Sequence, residues 1–379
     1  MRKYHLMAPG PTPVPHEVLE AMARPLMHHR TEEFEALFEE VRSGLSWLYR
    51  TEGDVIVLAA SGSGGMEASV SNLLSPGDSV LVVEGGKFGE RWTEICRAYG
   101  METDVLSVEL GRSVGIDEVE ARIRDGRHRA IFVQASETST GAKHDVKKLA
   151  EAVRLASPDT LVVADAITAI GVYDLRPEEW DLDAVITGSQ KALMLPPGLA
   201  FVWLSERAWS AAGESKCPRY YFDLRIERKS QAKNTTAWTP AISLVAGLRA
   251  ALDRMQKEGL ENIFGRHARL AGATRAALRA MGLEIFPRDL LSESLTAVRV
   301  PDGIDGKAIP RTMQAEQGIT IAGGQGEMSG KIFRIGHMGY VDESDVLAAV
   351  GGLERVLAGL GHGVNPGSGL AAAQEEFGK

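Results

Sequence analysis

The sequence predicts an α/β fold: a mainly parallel sheet of seven strands with helices on both faces, followed by a smaller α+β region. Three observations predict it. Short, almost continuously apolar runs recur at 55–59, 79–83, 104–108, 130–134, 160–164, 184–187 and 200–204. Amphipathic stretches of helical period lie between several of them, as at 146–156. Strands apolar on both sides belong in a sheet buried on both faces, and alternation with helices makes such a sheet parallel. Beyond residue 284 the pattern changes to a few strands mixed with helices.

The elements follow in order. Residues 8–15, Ala-Pro-Gly-Pro-Thr-Pro-Val-Pro, form an extended arm, because four prolines in eight residues forbid a helix. Such an arm is either a linker or a strap across a second subunit. A short helix follows at 16–22. Thr31 caps a longer one that carries Phe34, Leu37, Phe38, Val41, Leu45 and Leu48 at helical spacing. The alternating region runs to residue 204. The segment 205–240 is polar, and Arg225 to Thr236 reads as a loop, either solvated or carrying anion contacts. A long amphipathic helix starts after Pro240 and a second near Ala268. Strands at 295–300, 319–322 and 331–335, a helix near 306–317 and a helix at 342–360 complete the small region. The Gly- and Ala-rich tail after Gly361 is ordered if it packs on something.

Length and composition bound the function. A chain of 379 residues is too long for one small core, and two domains are expected. The large one spans 15–260, and the small one takes 1–14 and 261–379. A net charge of −9 disfavours nucleic acid and anionic membranes as partners. No apolar run approaches the roughly 20 residues of a membrane helix. Cys96 and Cys217 make neither a metal cluster nor a disulfide framework, which fits a reducing, cytoplasmic setting. The adjacent His28 and His29 lack a carboxylate at ligand spacing, so no metal is expected.

Ligands of open parallel sheets sit at the carboxyl ends of the strands, so the residues there are the candidates. After the first strand comes Ser61-Gly62-Ser63-Gly64-Gly65, directly before a helix. It is either a tight turn or a phosphate cradle of backbone amides and hydroxyls. After the second strand comes Phe88 in a Gly-rich turn, either core or a stacking surface. After the 130–134 strand comes the hydroxyl-rich Ser136-Glu-Thr-Ser-Thr-Gly141. Asp165 ends an apolar strand and needs a cation or several donors. Lys191 follows Gly188-Ser189-Gln190, with Pro196-Pro197-Gly198 close behind. It is either a loop-tip lysine facing water or an amine with a lowered pKa, able to attack a carbonyl. A phosphate cradle, a stacking ring, a carboxylate and an amine on one sheet edge are what pyridoxal phosphate requires.

The segments Pro9–Pro15, Ser61–Ala68, Glu137–Gly141, Val163–Ala166, Gly188–Ala192 with Pro196–Gly198, and Phe333–Gly336 together resemble the class V aminotransferases. The branch that looks closest is the alanine–glyoxylate and serine–pyruvate aminotransferases. The resemblance implies a pyridoxal-phosphate enzyme of fold type I, a homodimer with active sites at the interface. It implies Lys191 as the Schiff-base lysine and proton shuttle, and Asp165 as partner of the pyridine nitrogen. Ser61, Gly62, Ser63 and Gln190 then bind the phosphate, Phe88 stacks on the ring, and Thr138 bonds the ring hydroxyl. Arg334 pairs with the substrate α-carboxylate. Asn234, Thr236 and Thr239 reach the phosphate of the second subunit.

The expected reaction moves an amino group from a small amino acid, alanine or serine, to a 2-oxo acid, glyoxylate or pyruvate, by a ping-pong route. Phosphoserine or another amine as donor, and lyase chemistry, are the alternatives on the same motifs. A cysteine desulfurase would need a reactive thiol on a mobile loop, which neither Cys96 nor Cys217 supplies. A catalytically silent subunit would not need Lys191, Asp165 and Arg334 together.

Overall fold

The computed structural model of the protein describes residues 4–379. Seven strands form the large sheet: β1 (Val55–Leu58), β2 (Ser79–Glu84), β3 (Glu102–Ser107), β4 (Ala130–Gln134), β5 (Leu161–Asp165), β6 (Ala184–Gly188) and β7 (Ala200–Leu204). Their spatial order is β1-β7-β6-β5-β4-β2-β3. All run parallel except β7, which lies antiparallel between β1 and β6. The carboxyl ends of β1, β2, β4, β5 and β6 therefore share one edge.

Alternate residues of the strands, the edge strand β3 apart, feed two separate cores. Val57, Val83, Val133, Val162, Val185 and Phe201 pack on one face, and Ile56, Val82, Phe132, Val163, Ile186 and Val202 on the other. That is the period-two geometry of a strand with both faces covered. Each such large side chain contributes about 1.5–3 kcal/mol of burial free energy.

Helix α1 (His16–Met22) and α2 (Glu32–Tyr49) follow the arm, and the Thr31 hydroxyl accepts the Phe34 amide at the start of α2. Between the strands lie α3 (Gly62–Leu73), α4 (Lys87–Ala98), α5 (Ile116–Ile123) and α6 (Val146–Ala156). The polar stretch after β7 is not a loop. It holds α7 (Glu206–Glu214) and α8 (Leu224–Gln231), and the Asp223 carboxylate caps α8 by accepting the Arg225 amide at 3.0 Å. The buried face of α8 carries Leu224, Glu227 and Gln231. The Gln231 carboxamide pairs with both backbone groups of Val57, so α8 closes the free edge of β1 with polar contacts.

Helix α9 (Ile242–Glu258) packs on α1 and α2, and α10 (Leu260–Ala280) leads to the small sheet. That sheet has β8 (Leu295–Arg299), β9 (Ala322–Gly323) and β10 (Ile332–Gly336), in the order β8-β10-β9 and antiparallel. Helix α11 (Ala308–Thr312) continues into a wider turn at Met313–Gln317. Helix α12 (Glu343–Gly359) starts with a reciprocal Asp342–Asp345 capping box. The tail is ordered: α13 (Ser368–Phe377) lies along α10, and the Glu354 carboxylate accepts the Gly367 and Gly369 amides ahead of it.

The proline arm is not a free linker. His5–Leu6 pairs in parallel with Ile319–Thr320, and the arm then crosses the carboxyl edge of the large sheet. Among the described residues no helix is long and apolar enough to cross a membrane.

Candidate active site

The β6 strand delivers Lys191 into the edge where the arm crosses. The Lys191 ammonium donates to the Pro9 carbonyl at 2.5 Å, and the Thr12 hydroxyl donates to the Lys191 carbonyl at 2.8 Å. Gly10 lies flat against the lysine. A Cβ there would fall 2.2 Å from Nζ, and its φ of +118° suits glycine. Lys191 is thus not a loop-tip lysine facing water. Burial lowers its pKa from 10.5 to about 8, opposed by Asp165 and reinforced by Arg334 and Arg91.

Asp165 ends β5, the strand next to β6, where it pairs in register with Ile186. It is buried, and its Oδ1 accepts the Ile167 amide at 2.9 Å. Among the described residues no cation pairs with it. Burial therefore raises its pKa from 3.8 to about 7, with the Glu137 charge adding and Arg91 and Lys191 opposing. A buried carboxyl with a single backbone donor is short of one cationic partner, which a protonated pyridine nitrogen would supply.

After β1, α3 opens at Gly62. Its Ser61 cap makes no side-chain hydrogen bond, and the first amides of a helix have no partner inside it. Gly62 allows a close approach, since a Cβ would fall 2.5 Å from Ile167 Cδ1. Gln190 reaches the same corner. Its Oε1 is buried without a donor, and a Cβ on Gly188 would meet both that oxygen and the Gly62 amide. Free amides and hydroxyls around a helix N-terminus, with the NH2 of the Gln190 carboxamide as a further donor, suit a phosphate. The Ser63 hydroxyl accepts from Arg91 at 3.2 Å. The Arg91 guanidinium lies 4.9 Å from the centre of the half-buried Phe88 ring.

Arg334, on β10, comes from the small sheet. Its Nε and Nη2 donate to the Gly323 carbonyl at 3.0 and 2.8 Å, and Nη1 donates to the Thr138 carbonyl at 2.8 Å. One N–H on each terminal nitrogen is left, the fork that fits a carboxylate. Burial lowers its pKa to about 10, against the pull of Glu137. Thr138 is buried and meets Arg334 through its carbonyl.

Ser61, Gly62, Ser63, Phe88, Thr138, Asp165, Gln190, Lys191 and Arg334 thus converge on the shared strand edge. Thr236 and Thr239 line a small cavity with Leu58, Ala59 and Leu199 near that edge, and Asn234 lies apart. Asn234 accepts from Arg42 at 2.9 Å, the Thr236 hydroxyl donates to the Trp238 carbonyl at 2.6 Å, and Thr239 is exposed. No hydrogen bond links these three to the lysine turn among the described residues. Sequence reasoning gave no role to Pro9, Gly10, Thr12 or Glu137. Among the described residues no group of three His, Cys, Asp or Glu side chains is placed to hold a metal ion.

A lysine amine, a buried acid and an amide-and-hydroxyl cradle on neighbouring strand ends define a site for pyridoxal-phosphate chemistry. The family model described as Aminotransferase class-V matches residues 4–346. The chain is 45% identical over 377 residues to a protein of Synechococcus sp. (strain PCC 6716) named "Soluble hydrogenase, small subunit", covering 98% of this chain and 97% of that one. It is 36% identical to the L-aspartate–glyoxylate aminotransferase of Paracoccus denitrificans, over 98% and 96% of the two chains. It is 34% identical to the serine–glyoxylate aminotransferase of Hyphomicrobium methylovorum, over 99% and 95%. The crystal structure of the ureidoglycine–glyoxylate aminotransferase from Bacillus subtilis superposes with a TM-score of 0.94 at 31% identity, covering 100% of this chain and 99% of that one. The chain belongs to the class V aminotransferases, enzymes that depend on pyridoxal phosphate.

Proposed function

We propose that this enzyme moves the amino group of a small amino acid, alanine or serine, to a 2-oxo acid, glyoxylate or pyruvate, in two half-reactions. The observation that carries the reading is Arg334, a buried fork held by three bonds to two carbonyls and electrostatically coupled to Lys191. It suits the α-carboxylate that every amino acid and 2-oxo acid presents. Glyoxylate is favoured as acceptor by the names of the Paracoccus, Hyphomicrobium and Bacillus relatives, which share it while their donors differ. The arrangement of Lys191, Asp165 and Arg334 does not answer to the hydrogenase-subunit name of the Synechococcus relative.

The chain's own residues divide the work. Bound pyridoxal phosphate supplies an electron sink for the carbon that loses its proton. Ser61, Gly62, Ser63 and Gln190 hold its phosphate, Phe88 covers its ring, Thr138 meets its ring hydroxyl, and Asp165 fixes the charge on its ring nitrogen. Lys191 Nζ, with a pKa lowered toward neutrality, takes the proton from the donor Cα and later returns one. The arm at Pro9 and Gly10 walls the amine from water.

In the proposed assembly two copies pair, and Asn234, Thr236 and Thr239 of each reach the cofactor phosphate of the other. That none of the three makes a hydrogen bond to its own lysine turn among the described residues supports this. The chain divides into a cofactor-holding domain at 15–260 and a smaller domain of 1–14 and 261–379 that carries Arg334. The free, buried Cys96 and Cys217 suit a cytoplasmic setting. The test is a steady-state panel of alanine, serine and aspartate as donors against glyoxylate and pyruvate as acceptors. Parallel double-reciprocal lines with alanine or serine and glyoxylate support the reading. A preference for aspartate overturns the choice of donor.

A further inference from the structure

Glu137 is fully buried at the end of a short strand, Ser136–Glu137, behind the turn that carries Phe88. Its Oε2 accepts the amides of Phe88 and Gly89, each at 3.1 Å. Its Oε1 accepts the Ser139 amide at 3.1 Å and the Ser139 hydroxyl at 2.6 Å. The Ser139 oxygen in turn accepts the Lys87 amide at 3.1 Å. The first three amides of α4 are thus capped by a loop from another strand.

The cap is needed because α4 brings none of its own. Its N-cap is Gly86, and a Cβ there would fall 2.3 Å from Ser139 Oγ and 2.7 Å from Glu137 Cδ. Among the described residues no cation bonds Glu137. Backbone donors at a helix N-terminus offset the cost of burying its charge. The next residue, Thr138, gives its carbonyl to Arg334. One turn therefore fastens both the Phe88 platform and the Arg334 fork.

We propose that Glu137 is a positioning residue: it sets the Phe88 ring and, through the adjoining Thr138 carbonyl, the Arg334 fork, so that cofactor and substrate carboxylate are held in one register. The proposal rests on Phe88 serving as the ring platform. A plain structural cap would stabilise the fold without acting on either ligand.

The test compares Glu137→Gln, Ser139→Ala and Phe88→Ala in the holoenzyme. The readouts are visible circular dichroism per bound cofactor, the cofactor Kd, the KM for donor and acceptor, and Tm. Gln turns an NH2 group toward amide donors. The expected result is an altered dichroic band, a cofactor Kd raised about tenfold and both KM values raised severalfold. Ser139→Ala moves the same quantities in the same direction by less, and it carries the test if Glu137→Gln does not fold. Phe88→Ala is the control: if it leaves Kd and dichroism unchanged, the platform reading itself fails. If Phe88→Ala shifts them while the foldable Glu137 or Ser139 variant lowers only Tm, the proposal is overturned.

Discussion

Gly10→Ala is a small change with a calculable consequence. The new methyl would start 2.2 Å from Lys191 Nζ and 2.7 Å from both Cδ and Cε. Real Cβ contacts do not fall below 3.0 Å, so the amine must move by about 0.8 Å even if the arm holds still. The shift takes Nζ from the Pro9 carbonyl it now meets at 2.5 Å. Misplacing a reacting group by about 1 Å costs on the order of 100-fold. In barrier terms that is about 2.7 kcal/mol. Alanine at φ +118° adds backbone strain of about 1–3 kcal/mol to the fold. The assay is the rate at which L-alanine or L-serine converts the bound cofactor in a single half-reaction, with Tm followed in parallel. Expected are a rate near one hundredth of the parent and a lowered Tm. A half-reaction within threefold of the parent would refute the placement of the arm against the lysine.

Other predictions concern charge and assembly. In the cofactor-free protein the Asp165 pKa is raised to about 7, so the unfolded chain loses that proton first. Stability is then lost as pH rises from about 4 to about 7, and Asp165→Asn removes that part of the slope in a Tm-against-pH series. For Lys191, lowered to about 8, the folded chain loses the proton first, so stability is regained as pH rises from about 8 to the 10.5 of a free lysine. Lys191→Met flattens that limb. Arg334→Lys cannot reproduce bonds to both the Gly323 and Thr138 carbonyls, and it raises KM for amino and oxo acids alike by at least about tenfold with an unchanged cofactor spectrum. If Thr236 and Thr239 serve a second copy, the cofactor Kd rises when the protein is diluted below its dimerisation constant. A Kd independent of protein concentration down to monomer contradicts that assignment.

The large sheet was legible because its strands, apart from the half-exposed edge strand β3, are buried on both sides and therefore apolar. The antiparallel course of β7 was not, since a short apolar run reads the same in either direction. Helix α8 was missed for a physical reason. Its inner face sets Gln231 against the β1 backbone and Glu227 against Gln231, with Leu224 the one buried apolar side chain, so no hydrophobic period marks it. The same holds for the arm: prolines show that it is extended but not what it lies against. Lys191 and Asp165 stood out as charged residues in apolar settings, and Arg334 entered only through the class V resemblance. Glu137 did not stand out, because its partners are backbone amides, which leave no trace in the spacing of side chains.

The most direct measurement is the visible absorbance of the holoenzyme titrated with L-serine and L-alanine without acceptor, then with glyoxylate. Amino-group transfer predicts loss of the lysine-bound cofactor band with growth of the pyridoxamine form, reversal on adding glyoxylate, and no such band in Lys191→Ala. A band that no amino acid alters, or one that persists in Lys191→Ala, would contradict it.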